Sequence, residues 1–193
     1  MFSTPCIIFA GGKSSRMGED KALLPFAGYK TLAHYQYERL SKIFTTVYIS
    51  CKDSSKFDFD ANFLEDIDTN TTFAPTVGFV TAFKNLDSER FFALSVDTPF
   101  VTQKEIEELF EADEPKYDAT IARTEEGMQP LCGIYHASLQ KNFEEMLKKE
   151  NHKLGQLLKS VHTKYVPFRQ THPFLNLNHP HQYQEALQII QNY

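Results

Sequence analysis

At 193 residues, with 23% charged and 41% apolar residues including 17 Phe and 9 Tyr, the composition is that of a folded protein with an aromatic-rich core, long enough to bury roughly 70% of the surface its unfolded form exposes. The formal net charge of −5 argues against a nucleic-acid binder, which would carry a basic stripe, and no apolar run approaches the ~20 residues of a membrane span. Cys6, Cys51 and Cys132 are scattered, with neither CxxC nor metal-ligand spacing; buried reduced thiols in a cytoplasmic protein are expected.

Apolar runs alternate with helical patterns. Cys6 to Ala10 reads as a buried strand, Thr31 to Phe44 as a helix, and Val47 to Cys51 as a second strand. Asn62 to Glu65 is a short third strand, Pro75 to Leu86 a helix, and Phe91 to Val96 a strand of continuous apolar character. Thr102 and Glu105 form a capping box for a helix whose Ile106, Leu109 and Phe110 share one face. Strands follow at Tyr117–Ala122 and Leu131–Tyr135, then helices marked by Leu139, Phe143, Met146 and Leu147 and by Leu154, Leu157, Leu158 and Val161. A short strand near Lys164–Val166 precedes a last helix from about His179, with Tyr183, Leu187 and Ile190 inward. The first residues show neither a basic leader nor a cleavage site.

Fully apolar strands alternating with helices predict an α/β fold: one Rossmann-like three-layer domain over residues 1–193, its sheet mostly parallel and its helices on both faces. The strands near 117–122 and 131–135 are too close for a helical crossover, so one antiparallel strand is expected.

The loop after the first strand carries the chemistry. In "IIFAGGKSSRMGEDKALL", Gly11 and Gly12 lack Cβ atoms and can take positive φ and approach an anion closely, while Ser14, Ser15 and Gly18 add donors. Arg16 offers a planar fork that matches phosphate, and Lys21 a mobile point charge. Together they describe a polyphosphate clamp; the plainer alternative is a solvated strand–helix turn. It is not a P-loop, because Gly12 to Gly18 is one residue too long and Glu19 stands where the Lys should be, and GxGxxG is absent. Asp97 ends the most apolar strand and projects from the same sheet edge. The competing role of helix cap is already filled by Thr102.

The segment "FAGGKSSRMGEDKALL" resembles the signature LAGGxSxRMGxDKxLL of the sugar-nucleotidyltransferase-like superfamily, and its double glycine and Asp20-Lys21 ending are most similar to molybdenum cofactor guanylyltransferases of the MobA type. "LSVDTPFVT", "QPLCGIY" and "FLNLNHPHQY" resemble the later motifs of that family in the same order. The resemblance implies transfer of GMP from GTP to the terminal phosphate of molybdopterin, with pyrophosphate released and Mg²⁺ as cofactor. It assigns Asp97 to the metal and Arg16, Lys21 and Asp97 to catalysis. It assigns Phe9, Ala10, Gly11, Gly12, Lys21, Asp66 and Asp97 to GTP, with Asp68 close enough to compete with Asp66. Asn176 and Asn178 fall to the pterin substrate, although Asn178 would serve equally well as N-cap of the last helix; Arg123, Gln129 and Pro130 would line the same side. By family analogy, transient contacts with cofactor-delivery proteins are also implied.

The attacking phosphate monoester has a second pKa near ~6 and is largely dianionic at neutral pH, so no general base and no covalent enzyme intermediate are expected. The sequence departs from the family's GPLxG segment at "FAPTVGFVTAF", where Pro75 and Gly78 keep the frame but Ala74 and Thr76 differ. Two other readings stay open: a cytidylyl- or sugar-phosphate nucleotidyltransferase of the same fold, and a catalytically silent nucleotide-binding module.

Overall fold

The computed structural model of the chain describes residues 1–11, 18–67 and 75–190. Seven strands, β1 (Cys6–Phe9), β2 (Val47–Cys51), β3 (Asn62–Glu65), β4 (Arg90–Ser95), β5 (Ala119–Thr124), β6 (Gly127–His136) and β7 (Thr163–Pro167), form one sheet in the order β3-β2-β1-β4-β6-β5-β7. Strand β6 runs antiparallel to β4 and β5, and the other pairings are parallel. Thr124 pairs with Gly127, so only Glu125 and Glu126 separate the two strands. A loop that short permits a hairpin and no crossover, which is why the reversal falls here.

Alternation along β1 divides the core. Cys6 and Ile8 point to a layer built from α1 (Leu32–Leu40), α3 (Gln103–Ala112) and α6 (Pro180–Ile190). Ile7 and Phe9 point to the opposite layer of α2 (Pro75–Asn85), α4 (Gln140–Lys148) and α5 (Leu154–Ser160). In this second layer Phe79 stacks on Phe9 at 4.6 Å and on Phe143 at 4.3 Å between ring centroids. Each fully buried aromatic contributes about 1.5–3 kcal/mol, so the aromatic surplus goes largely into the two cores. Tyr183, Leu187 and Ile190 pack against the first core but stay partly exposed, and Ala186 is the fully buried residue of α6.

Helix starts follow the local signals. The Thr102–Glu105 capping box forms in full on α3, and Thr31 caps α1 by accepting from the His34 amide. Helix α1 ends earlier than its pattern suggests, because the chain turns over 41–43 and Phe44 packs back under Phe92. Strand β6 is longer than expected. Its N-terminal half runs past the end of its pairing with β4 at Cys132, and Pro130 falls where the β5 register shifts, so its missing N–H breaks no ladder bond.

The three cysteines are free and buried, and burial raises each thiol well above its ordinary pKa. Among the described residues no helix is long and apolar enough to cross a membrane.

Candidate active site

Strand β1 connects through α1 to β2 on one side, while β3 connects through α2 to β4 on the other, so the strand order switches between β1 and β4. Ligands of such sheets bind beyond the carboxyl ends of the strands at that switch. Backbone bonds extend the ladder past the strand ends: Ala10 N donates to Ser50 O at 2.9 Å, Val96 N to Phe9 O at 3.0 Å, and Asp66 N to Cys51 O at 2.9 Å. They align Ala10, Asp66 and Asp97 along one rim.

Asp97 is 7% exposed, and every group around it is directed. Ser95 Oγ donates to its Oδ1 at 2.5 Å, Lys21 Nζ pairs with its Oδ2, and Leu177 N donates to its main-chain carbonyl at 2.9 Å. The same ammonium donates to Asn178 Oδ1 at 3.0 Å. Two predicted catalytic residues and one predicted pterin contact, separated by up to 157 positions, thus share one knot. Lys21 opens a 3₁₀ turn, Lys21–Leu23, whose Ala22 amide is capped by Asp20 Oδ1. Asp20 Oδ2 in turn holds Lys56 Nζ at 2.6 Å, a second cation near the rim that sequence reading did not single out.

The loop carrying Asp97 is fixed from α1. The fully buried Gln36 donates through Nε2 to the carbonyls of Ser95 at 3.3 Å, Val96 at 3.0 Å and Thr98 at 3.2 Å. Arg39 donates to Gln36 Oε1 at 2.5 Å and to Val101 O at 2.6 Å. An apolar residue would have continued the helix pattern at position 36, so a Gln on a buried face was the available signal.

On the β1–β2–β3 half, Phe9 and Ala10 are buried and Gly11 is exposed. Gly11 does not use the positive φ open to it, whereas Gly18, further along the same loop, does, with φ of 76°. A Cβ at Gly11 would meet nothing within 4 Å, so the backbone there borders open space. Gly12, Arg16 and Asp68, together with Ser14, Ser15 and Ala74, lie outside the described residues. Burial pushes the Asp66 carboxyl up to about 6, with Lys52 and Lys56 pulling the other way.

On the other half a cleft of about 490 Å³ opens beside Asp97, lined among others by Ser95, Gln129, His152, Asn176 and Asn178. Because β6 is antiparallel, its first residues reach this rim, which brings Gln129 and Pro130 into the lining. Arg123 is exposed and lies over Tyr165, 5.9 Å from the ring centroid. Asn176 accepts from Thr98 Oγ1 at 3.2 Å and donates to Phe174 O at 3.1 Å. The alternative role of Asn178 as helix cap does not materialise: Gln182 Oε1 reaches back to accept from the amides of Asn178 and His179, both at 2.9 Å. That frees Asn178 Oδ1 for Lys21.

The donor set suits a hard cation. Asp97 offers one rigid carboxylate at the rim, and among the described residues no group of three or more His, Cys, Asp or Glu forms an all-protein cage. A divalent ion here would complete its shell with water and phosphate oxygens, as Mg²⁺ prefers.

The model of the MobA-like NTP transferase domain family matches residues 6–165. The chain is 37% identical over 180 residues to a molybdenum cofactor guanylyltransferase of Campylobacter jejuni, covering 93% of each protein. It is 32% identical over 191 residues to one of Helicobacter pylori, covering 96% of this chain and 92% of that one. The crystal structure of molybdopterin-guanine dinucleotide biosynthesis protein A from Archaeoglobus fulgidus superposes with a TM-score of 0.83 at 22% identity, covering 98% of this chain and all of that one, so it shares the fold. With the switch-point rim, the Lys21–Asp97–Asn178 knot and these likenesses in hand, the chain belongs to the MobA-like NTP transferase family.

Proposed function

We propose that this protein transfers GMP from GTP to the terminal phosphate of molybdopterin, releasing pyrophosphate and forming the guanine dinucleotide of the cofactor. The observation that carries the reading is the position of Asp97, between a rim suited to a nucleotide and a separate 490 Å³ cleft suited to an acceptor. Both curated relatives carry the name of this activity.

An oxygen of the acceptor's phosphate dianion attacks the α-phosphorus of GTP. The new P–O bond forms as the bond to the bridging oxygen of the β-phosphate breaks, and that oxygen leaves with pyrophosphate. Two anions must be brought together, so positioning and electrostatics carry the rate. Lys21 supplies a charge at the meeting point, held between Asp97 and Asn178, and Arg16 a second one from the loop. Gly11 and Gly12 offer amides to the nucleotide, and Phe9 and Ala10 contribute backbone contact beside them, the Ala10 N–H being held by Ser50 O. Mg²⁺, held by Asp97, would offset phosphate charge when bound. Asn176 and Asn178 orient the pterin side, and the whole of residues 1–193 acts as one domain. Cytoplasmic location and brief contacts with cofactor-delivery proteins complete the reading.

Asp66 favours guanine over cytosine. A carboxylate accepts, and guanine presents two adjacent donors on its Watson–Crick edge, N1–H and the N2 amine, whereas cytosine presents one, the N4 amine, beside acceptors at N3 and O2. Thermal shift should therefore show stabilisation by GTP with Mg²⁺ and little by CTP, UTP or ATP. Pyrophosphate release from GTP should require molybdopterin. Asp97→Ala should lower kcat/KM by at least about 100-fold, the scale of losing one strong transition-state interaction. Turnover that survives this substitution would remove Asp97 from the mechanism, and GTP binding without turnover would support the silent-module reading.

A further inference from the structure

One of the positions where the chain departs from its family's pattern has a partner in the lining of the cleft. Thr76, in the second position of α2, is fully buried, and its Oγ1 lies 2.5 Å from Nδ1 of His152 in the α4–α5 connection. The ring is half-buried and lines the cleft together with Pro75, Gln129, Asn176 and Asn178. Its Nε2 has no protein partner among the described residues. A buried hydroxyl needs a partner, and here it fixes a ring that lines the space a substrate would fill. When the Thr76 hydroxyl donates to Nδ1, the ring proton sits on Nε2. When the ring is protonated, Nδ1–H donates to the hydroxyl and Nε2–H is again a donor. In these two states the cleft receives an N–H; a neutral ring with its proton on Nδ1 would present an acceptor instead, and a bound phosphate selects against it. The first turn of the 11-residue helix α2, at Pro75, borders the same space and adds a positive dipole end.

The geometry points to His152 as a substrate-binding residue for the phosphate monoester of the acceptor, with Thr76 as the residue that positions it. This rests on the nucleotidyl-transfer reading and adds a specific contact to it. The acceptor is favoured over the nucleotide because His152 lies on the β4–β6 side of Asp97 with Asn176 and Asn178, while Ala10 and Asp66 lie on the β1–β3 side. An in-line displacement requires the attacking phosphate to approach from the side opposite the leaving pyrophosphate.

Asn reproduces the Nδ1 end of histidine and Gln the Nε2 end, so a pair of variants separates the two roles. With GTP and Mg²⁺ saturating, His152→Asn should raise KM for molybdopterin about tenfold or more, the scale of a lost hydrogen bond to a charged group. His152→Gln should recover most of that loss, and both should keep KM for GTP within about twofold of wild type on the same reasoning. Thr76→Val should raise KM for molybdopterin and Thr76→Ser should restore it, which a purely structural threonine would not predict. In the ¹³C-labelled protein, the His152 ring signal, assigned by its loss in His152→Asn, should move on titration with molybdopterin. An unmoved ring signal, an unchanged KM for molybdopterin in His152→Asn, or an equal rise in KM for GTP overturns the assignment. Absence of turnover by the wild type would instead overturn the proposed reaction, because the ring signal is read without catalysis.

Discussion

Gly78 is where the fold and the nucleotide rim meet most tightly, and replacing it with Ala should be costly. A Cβ built there would stand 2.4 Å from Ser50 Oγ and 3.0 and 3.2 Å from two carbons of the Phe9 ring. Comfortable separation is about 3.5 Å or more, so the hydroxyl contact is short by about 1 Å. Neither neighbour has room to give. Ser50 is 3% exposed in β2, and Phe9 is 4% exposed and stacked on Phe79. Overpacking of this kind costs about 1–3 kcal/mol, while Ala gains up to about 1 kcal/mol over Gly in a helix interior. A contact this short falls in the upper part of that range, about 2–3 kcal/mol, so the net loss is about 1–2 kcal/mol, or roughly 3–6 °C in Tm for a chain of this size. Differential scanning calorimetry of Gly78→Ala, Ser50→Ala and the double variant forms a double-mutant cycle. The double variant should recover part of the loss, because removing Oγ clears the worst contact and leaves the two to Phe9. A Gly78→Ala protein as stable as wild type, or a double variant no better than Gly78→Ala, would refute the packing argument.

Two further substitutions probe the rim. Asp66, pushed up to about 6 by burial, must be a carboxylate to accept both guanine donors, so the Kd for GTP should rise up to about tenfold between pH 7.5 and pH 5. Its effect on folding has the opposite sign: a carboxyl whose folded pKa exceeds its unfolded value adds stability at low pH, and that contribution is lost as pH rises through about 6. Calorimetry of wild type against Asp66→Asn over pH 4–8 isolates the folding effect, and a GTP affinity flat from pH 7.5 to 5 would remove Asp66 from base recognition. Gln36→Leu strips one amine from the carbonyls of Ser95, Val96 and Thr98 and should cost about 2–3 kcal/mol and lower kcat, since Asp97 rides on that loop. A Tm within 1 °C of wild type with unchanged turnover would show that the clamp does not hold the loop (about 5–10 °C is expected).

Periodicity in the amino-acid order was enough to place the strands and helices to within a few residues, as the Thr102–Glu105 capping box and the alternation of Cys6, Ile7, Ile8 and Phe9 illustrate. These signals depend on neighbours one to four positions away, so they survive without knowledge of the fold. The short link between β5 and β6 likewise sufficed to predict an antiparallel strand. Motif residues such as Lys21 and Asp97 could be nominated in the same way, since their types and the strand ends beside them are local facts. Their mutual contact could not. Lys21 meets Asn178 across 157 positions and Thr76 meets His152 across 76, and such meetings depend on which strands become neighbours. That choice belongs to the packing of two helical layers on one sheet, an energy shared among dozens of side chains and visible in no short stretch of chain.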